Sequence, residues 1–174
     1  MTIHFGDSTS IATATGLGAK LINVAQEFKR DHFSASQSHS GFGNNCIGLS
    51  YAATSSSNRL LIIAHLCIGY NHGQSVVMRF SLSNSAVTDA IANVDNSRLR
   101  GTAASWINSA YQISNMSANM IKTSPSTTAV TYGCQLAHTD NATQTVYLNR
   151  SANNGDATWR PMGTSSLTII EYEP

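Results

Sequence analysis

Apolar and polar residues alternate with a period of two along much of the chain, the spacing of strands whose two faces meet different surroundings. Val76, Met78, Phe80 and Leu82 share one face, with Val77, Arg79 and Ser81 on the other. Val130, Tyr132, Cys134 and Leu136 repeat the pattern against Thr131, Gly133 and Gln135. Residues 143–149 and 167–172 alternate more weakly. Residues 59–68, Arg-Leu-Leu-Ile-Ile-Ala-His-Leu-Cys-Ile, are apolar on both faces. Such a run predicts a central strand covered on both sides, by its own fold or by another subunit. Residues 20–28 and 45–51 bring the set to about seven or eight strands. Turn-forming stretches at residues 34–45, 53–58, 84–96 and 149–158 separate several of them. Helical signal is poor: residues 103–111 are the best candidate, without a capped apolar stripe, and a short turn fits them as well. No internal repeat of about 20–50 residues is present. The pattern predicts an all-β chain, a jelly-roll-like antiparallel sandwich of about eight strands.

Residues 1–18 stand apart. Gly, Ser, Thr and Ala dominate them, with Ile3, Phe5 and Ile11 as the apolar exceptions. So few anchors cannot bury a segment on its own, which predicts an extended arm over 1–18 that orders against a partner. Residues 19–174 form the sandwich domain, a one-domain length.

Composition sharpens the picture. The 174 residues include 24 Ser, 17 Thr and 15 Asn, whose side chains compete with helical backbone hydrogen bonds and favour turns and strands. Charged residues are only 11%, and ten Lys and Arg against nine Asp and Glu leave a net charge of +1. No concentrated basic field exists, so neither nucleic acid nor an anionic membrane is an expected partner. The first residues lack the basic and apolar regions of a signal peptide, and the longest apolar run, residues 60–64, is too short to cross a bilayer. The sequons at Asn115, Asn141 and Asn149 are therefore expected to stay unmodified. Cys46, Cys67 and Cys134 are odd in number and share no ligand spacing, which predicts buried, reduced thiols.

Groups for catalysis are thin. The nine carboxylates sit mostly in turn-like sequence and no spacing pairs any two of them. Nucleophile-elbow, phosphate-loop and zinc-binding motifs are absent. The expectation is a chain that is not an enzyme and takes no cofactor or metal. His65 and Cys67 lie two apart on one strand face and would ring an axis if copies met there, although a buried neutral histidine is the simpler reading. Trp106, Tyr111 and Trp159, with Tyr70 and His72, are the candidate aromatic platform for a sugar; equally, the tryptophans can serve as core or inter-subunit anchors.

Several segments together resemble a known family. Ile3-His-Phe-Gly-Asp-Ser-Thr-Ser-Ile11 is similar to the I-x-F-x-D-G-T stretch ahead of the last domain in tailed-phage fibre and structural proteins, with Ser8 where that pattern has Gly. Residues 20–24, 56–62, 147–150 and 165–171 resemble strands of that domain, and Ser124-Pro125 through Thr128 to Tyr132 resembles its S-P-x-x-T-x-x-x-Y segment. The resemblance runs over most of residues 3–173 and is to virion-surface proteins of marine and cyanobacterial phages. It implies a homotrimeric jelly roll with a structural role and without catalysis; it transfers no set of binding residues.

Within that family a tail-fibre tip normally ends a much longer chain, whereas 174 residues suit an arm and one domain. The expectation is a capsid decoration (cement) protein on the outer surface of the virion. Its partners would be further copies of itself and the major capsid protein. Ile3, Phe5 and Ile11 would anchor the arm, and Leu61, Ile63 and His65 would line the trimer contact. The alternative is a short tail-fibre or tail-tip protein, partnered by a tail or baseplate protein and recognising a host-surface glycan.

Overall fold

The structure, a computed structural model, describes residues 19–158 and 160–174 with only the backbone of residue 72, and the backbone of residues 3–4 and 10–11. Its strands are β1 (Ile3–His4), β2 (Ser10–Ile11), β3 (Lys20–Lys29), β4 (Phe33–Gln37), β5 (Ile47–Tyr51), β6 (Arg59–Tyr70), β7 (His72–Leu82), β8 (Ser85–Ala86), β9 (Ala103–Ser109), β10 (Ile113–Thr123), β11 (Val130–His138), β12 (Gln144–Leu148) and β13 (Ser165–Glu173). Among the described residues the helical content is one turn of 3-10 helix, Thr88–Ala90, and no helix is long and apolar enough to cross a membrane.

Strands distant in sequence pair in a nested order. β7 pairs with β9, β6 with β10, β5 with β11, β4 with β12 and β3 with β13, every pair antiparallel. A long hairpin rolled up on itself gives this order. The roll is closed where β11 also pairs β7, and where β12 and β13 both pair β6. The result is a two-sheet jelly roll, the all-β sandwich that the alternation predicts. β1 and β2 make a separate two-stranded sheet with Ile3 opposite Ile11.

The inner faces supply the core. Leu60, Ile62, Ala64, Leu66 and Ile68 of β6 meet Val76, Met78 and Phe80 of β7 and Tyr132, Cys134 and Leu136 of β11, all buried. Val146, Leu148, Leu167 and Ile169 close it from β12 and β13. All three cysteines are buried and free. Burial pushes the Cys46 thiol up to about 12, so it packs as a small neutral side chain.

Three strands depart from the sequence reading. β4 lies in the 34–45 stretch that reads as a turn. It is an edge strand held by β12 alone, so its Phe-Ser-Ala-Ser-Gln needs little apolar surface. β9 lies within residues 103–111, where a helix or short turn is the best local reading, and β10 follows in a stretch to which the sequence reading assigns no element. β9 shows its inner face through Ile107 among small residues, and β10 through Met116 and Met120. Small and sulfur-containing side chains carry little strand preference, so pairing with β7 and β6 decides their state.

The two sheets differ outside. Over the β5–β11–β7–β9 sheet the chain roofs itself: Asn45 Oδ1 accepts from Ser81 Oγ at 2.5 Å, and Thr102 N donates to Met78 O at 2.7 Å. Val77, Gln135 and Ala137, on the outer face of that sheet, are consequently buried. The turn after β7 places Ser83 and Asn84 at φ 48° and 64°, a two-residue hairpin of the kind Asn tolerates. Among the described residues the other sheet carries no such roof over its central strands.

One polar residue knots the corner where β12 ends. Buried Asn149, at φ 65°, donates through Nδ2 to Lys29 O (2.7 Å) and Asp31 O (2.9 Å) and accepts from Ser165 Oγ at 2.6 Å. Its burial also keeps that sequon out of reach in the folded chain. Asn149→Ala strands two carbonyls and a hydroxyl and puts a Cβ residue in the left-handed region without the amide's compensation. The expected loss is about 3 kcal/mol in urea unfolding; a loss below about 1 kcal/mol would show that the knot is dispensable.

Candidate functional site

Every second residue of β6 points away from the core, and the ladders align these positions with outward residues of three other strands. Leu61 lies between Ile121 of β10 and Ile170 of β13, and Ile170 is opposite Val24 of β3. The next row is Asn119, Ile63, Thr168 and Gln26, followed by Ser117, His65, Ser166 and Phe28. At the other end stand Thr123, Arg59, Tyr172 and Leu21. Each residue is placed by register and by the period of its own strand, except that an irregularity between Glu171 and Tyr172 brings Leu21, three residues before Val24, opposite Tyr172. Away from it, a slip of one position would send the row into the core.

The rows form an apolar field left open to solvent. Leu21 is 61% exposed, Val24 52%, Phe28 53%, Ile121 53% and Ile63 38%. Arg59 is the one formal charge in the four rows, set at their end. Aliphatic side chains at the middle of a sheet, flanked by Ser, Thr and Asn rather than by Lys and Glu, are the composition of a face that meets another surface.

Leu61, Ile63 and His65 thus lie together on this face, where the sequence reading puts a subunit contact. The remaining members, Leu21, Val24, Phe28, Ile121, Ile170 and Tyr172, escape that reading. Only the cross-strand register assembles them, and β10 is not recognisable as a strand from its local sequence. The alternation Val24, Gln26, Phe28 is the available signal.

His65 is half-buried, with Nδ1 2.9 Å from Ser117 Oγ and Nε2 3.9 Å from Cys67 Sγ. The Cys67 thiol donates to Asn115 Oδ1 (3.2 Å) and Thr164 O (3.4 Å), and burial raises its pKa. It remains a neutral thiol, which makes it a poor nucleophile and a poor metal ligand. Among the described residues no three His, Cys, Asp or Glu side chains converge on a metal position.

The other predicted residues are dispersed. Trp106 stands on the outer face of β9, 56% exposed, and its Nε1 donates to Asn108 Oδ1. Tyr111 follows in the next turn, with Arg160 over its ring at 5.8 Å. Tyr70 is no platform: it is fully buried and stacked on His138 at 5.6 Å, because it ends the inner row of β6. Trp159, Phe5, and the side chains of Ile3, Ile11 and His72 lie outside the described residues.

No family model matches the chain, and no curated protein matches it. Among solved structures it is similar to a chain in the structure of infectious bursal disease virus Gx strain, with 14% identity and a TM-score of 0.43 over 87% of this chain and 37% of that one. A chain of the infectious bursal disease virus VP2 subviral particle aligns with 11% identity and a TM-score of 0.39, over 86% of this chain and 39% of that one. The chain spans well under half of either virus protein. Likenesses at this level assign no function.

Proposed function

We propose that the chain is a virion structural protein, a homotrimeric capsid decoration (cement) protein that grips the assembled shell through its N-terminal arm and has no enzymatic activity. The observation that carries this reading is the apolar face across β10, β6, β13 and β3, which no described segment covers. A sandwich that roofs one sheet with its own loops and leaves the other greasy and nearly uncharged suits self-association, since like faces with one charge at the margin do not repel. The trimer comes from the resemblance to phage virion-surface proteins, and the jelly roll is a fold that capsid components use. A fold is no function by itself, and lectins and cupins share it.

The proposed energetics are additive. Three copies bury the apolar faces together, and three tethered arms then hold the shell with an avidity far above that of one arm. Ile3, Phe5 and Ile11 are the proposed arm contacts, and the major capsid protein is their partner. Binding only to the assembled shell would stabilise it by mass action.

The test is co-sedimentation with undecorated capsids of the virus that encodes the chain. The full chain is expected to pellet with capsids and to ignore host cells. A variant lacking residues 1–18 is expected to keep its circular dichroism and melting transition but to lose at least about tenfold in capsid affinity. Normal decoration by the truncated chain would remove the arm from the mechanism. Binding to host cells but not to capsids would transfer the chain to the tail.

A further inference from the structure

The loops that roof the β5–β11–β7–β9 sheet leave two grooves with a common wall. One, of about 530 Å³, runs between the β4 edge, the 42–44 loop and Asn84. The other, of about 290 Å³, runs between Ser40 and the 97–100 stretch that carries Arg98 and Arg100. Both are lined by Arg79 and Phe42. The Arg79 guanidinium carbon sits 4.0 Å from the centre of the Phe42 ring. Its Nε donates to Gln135 Oε1 at 2.8 Å, and Gln135 is held in turn through Nε2 on Asn84 O at 2.9 Å.

The guanidinium plane is therefore fixed by stacking and by one hydrogen bond, while its two terminal amino groups have no acceptor among the described residues. This is a planar fork waiting for a bidentate partner. No carboxylate lines either groove, yet three of the chain's ten Lys and Arg do. Arg98 is paired with Asp95 at 2.9 Å; Arg79 and Arg100 form no ion pair among the described residues. The rest of the lining is neutral: the amides of Asn44 and Asn84 and the hydroxyls of Ser34, Ser36 and Ser40. Gln37, nine-tenths buried in the same wall, has an Oε1 that accepts no hydrogen bond from the described residues.

We propose that these grooves form one site for an acidic oligosaccharide bearing uronate groups, with Arg79 and Arg100 receiving the carboxylates and the amides and hydroxyls meeting the sugar ring. A planar carboxylate matches the fork. Two adjoining grooves of neutral donors and acceptors exceed what a lone anion fills. A nucleic acid would need a longer basic track than three arginines. The site is built by two loops on a rigid sandwich and is distinct from the apolar face. It does not depend on where the chain sits in a particle, so its failure would leave the assembly reading untouched.

Titration calorimetry tests it on the full chain with a panel of galacturonate, glucuronate and mannuronate trisaccharides, against maltotriose and acetate. At least one uronate trisaccharide is expected to bind at least tenfold more tightly than maltotriose or acetate, and to weaken as salt rises. Arg79→Gln and Arg100→Gln are each expected to reduce that affinity at least tenfold. Arg100 is exposed and its variant keeps the fold even if the Arg79 variant does not. Absence of binding across the panel, equal binding of maltotriose or acetate, or an unchanged affinity in Arg100→Gln would each overturn the proposal.

Discussion

Glu171→Ala is expected to cost about 4 kcal/mol of folding stability at neutral pH, more than the loss expected for Asn149→Ala. Glu171 lies on β13 and is fully buried, yet both of its carboxylate oxygens accept hydrogen bonds, Oε1 three and Oε2 one. Tyr51 Oη donates at 2.6 Å, Asn58 Nδ2 at 2.6 Å, Thr54 Oγ1 at 2.7 Å and Thr54 N at 2.8 Å. Tyr51 belongs to β5 in one sheet and Glu171 to β13 in the other, so the carboxylate clamps the two layers together. Burial alone would raise its pKa; the hydrogen bonds from Tyr51, Asn58 and Thr54 outweigh burial and hold it down to about 2. Burial, followed by the same carboxylate, pushes the Tyr51 phenol up to about 12, so the pair stays phenol and carboxylate across the ordinary range.

The sign of the pH dependence follows. A carboxyl with a lower pKa folded than unfolded adds stability above the unfolded value, and that contribution disappears as pH falls toward the folded one. From an ordinary value of 4.5 to about 2, the window is acid and narrow. The contribution at stake is about 3 kcal/mol. Urea midpoints of the wild type should therefore fall between pH 5 and pH 2 by more than those of Glu171→Gln, and the two curves should converge at the acid end. Parallel curves over that interval would mean that the clamp is not ionised in the folded protein.

What can be read from the chain alone depends on how many neighbours a segment has. Residues 59–68 announce a central strand because both faces of β6 are apolar, and it has β10 on one side and β12 and β13 on the other. β4 gives no such signal, since an edge strand packs one face against the core and needs no apolar residue on the other. β10 alternates Met116, Ala118 and Met120 with Ser117, Asn119 and Ile121, a real period of two written in residues that also suit loops. The Arg79 groove is illegible for a different reason. Phe42, Arg79 and Gln135 come from two strands and a loop, each dozens of residues from the next, and only the rolled hairpin brings them together. That Leu61, Ile63 and His65 share one face is legible because one strand carries all three.

Ile63→Glu is expected to convert a trimer into monomers without unfolding the chain. In the single chain Ile63 is 38% exposed and opposite Asn119 and Thr168, so a glutamate there reaches water and touches no core atom. In a trimer closed over the apolar face, each interface would have to desolvate a carboxylate with no permanent cation beside it, because Arg59 lies two rows away and the group in the next row is His65, already hydrogen-bonded to Ser117. An uncompensated buried charge costs several kcal/mol. About 4 kcal/mol corresponds to roughly a thousandfold weaker association. Sedimentation velocity should then show the mass of one chain, 18.5 kDa, for the variant, against three times that for the wild type. The thermal unfolding of the variant, followed at a concentration where both are monomeric, should match the wild type within about 1 kcal/mol. Thr131→Glu, on the outer face of the opposite sheet beside Ser50, is the control and should leave the trimer intact. A wild-type chain that sediments at 18.5 kDa across the accessible concentrations would end the self-association reading. A trimer unaffected by Ile63→Glu would move its contact to a different surface.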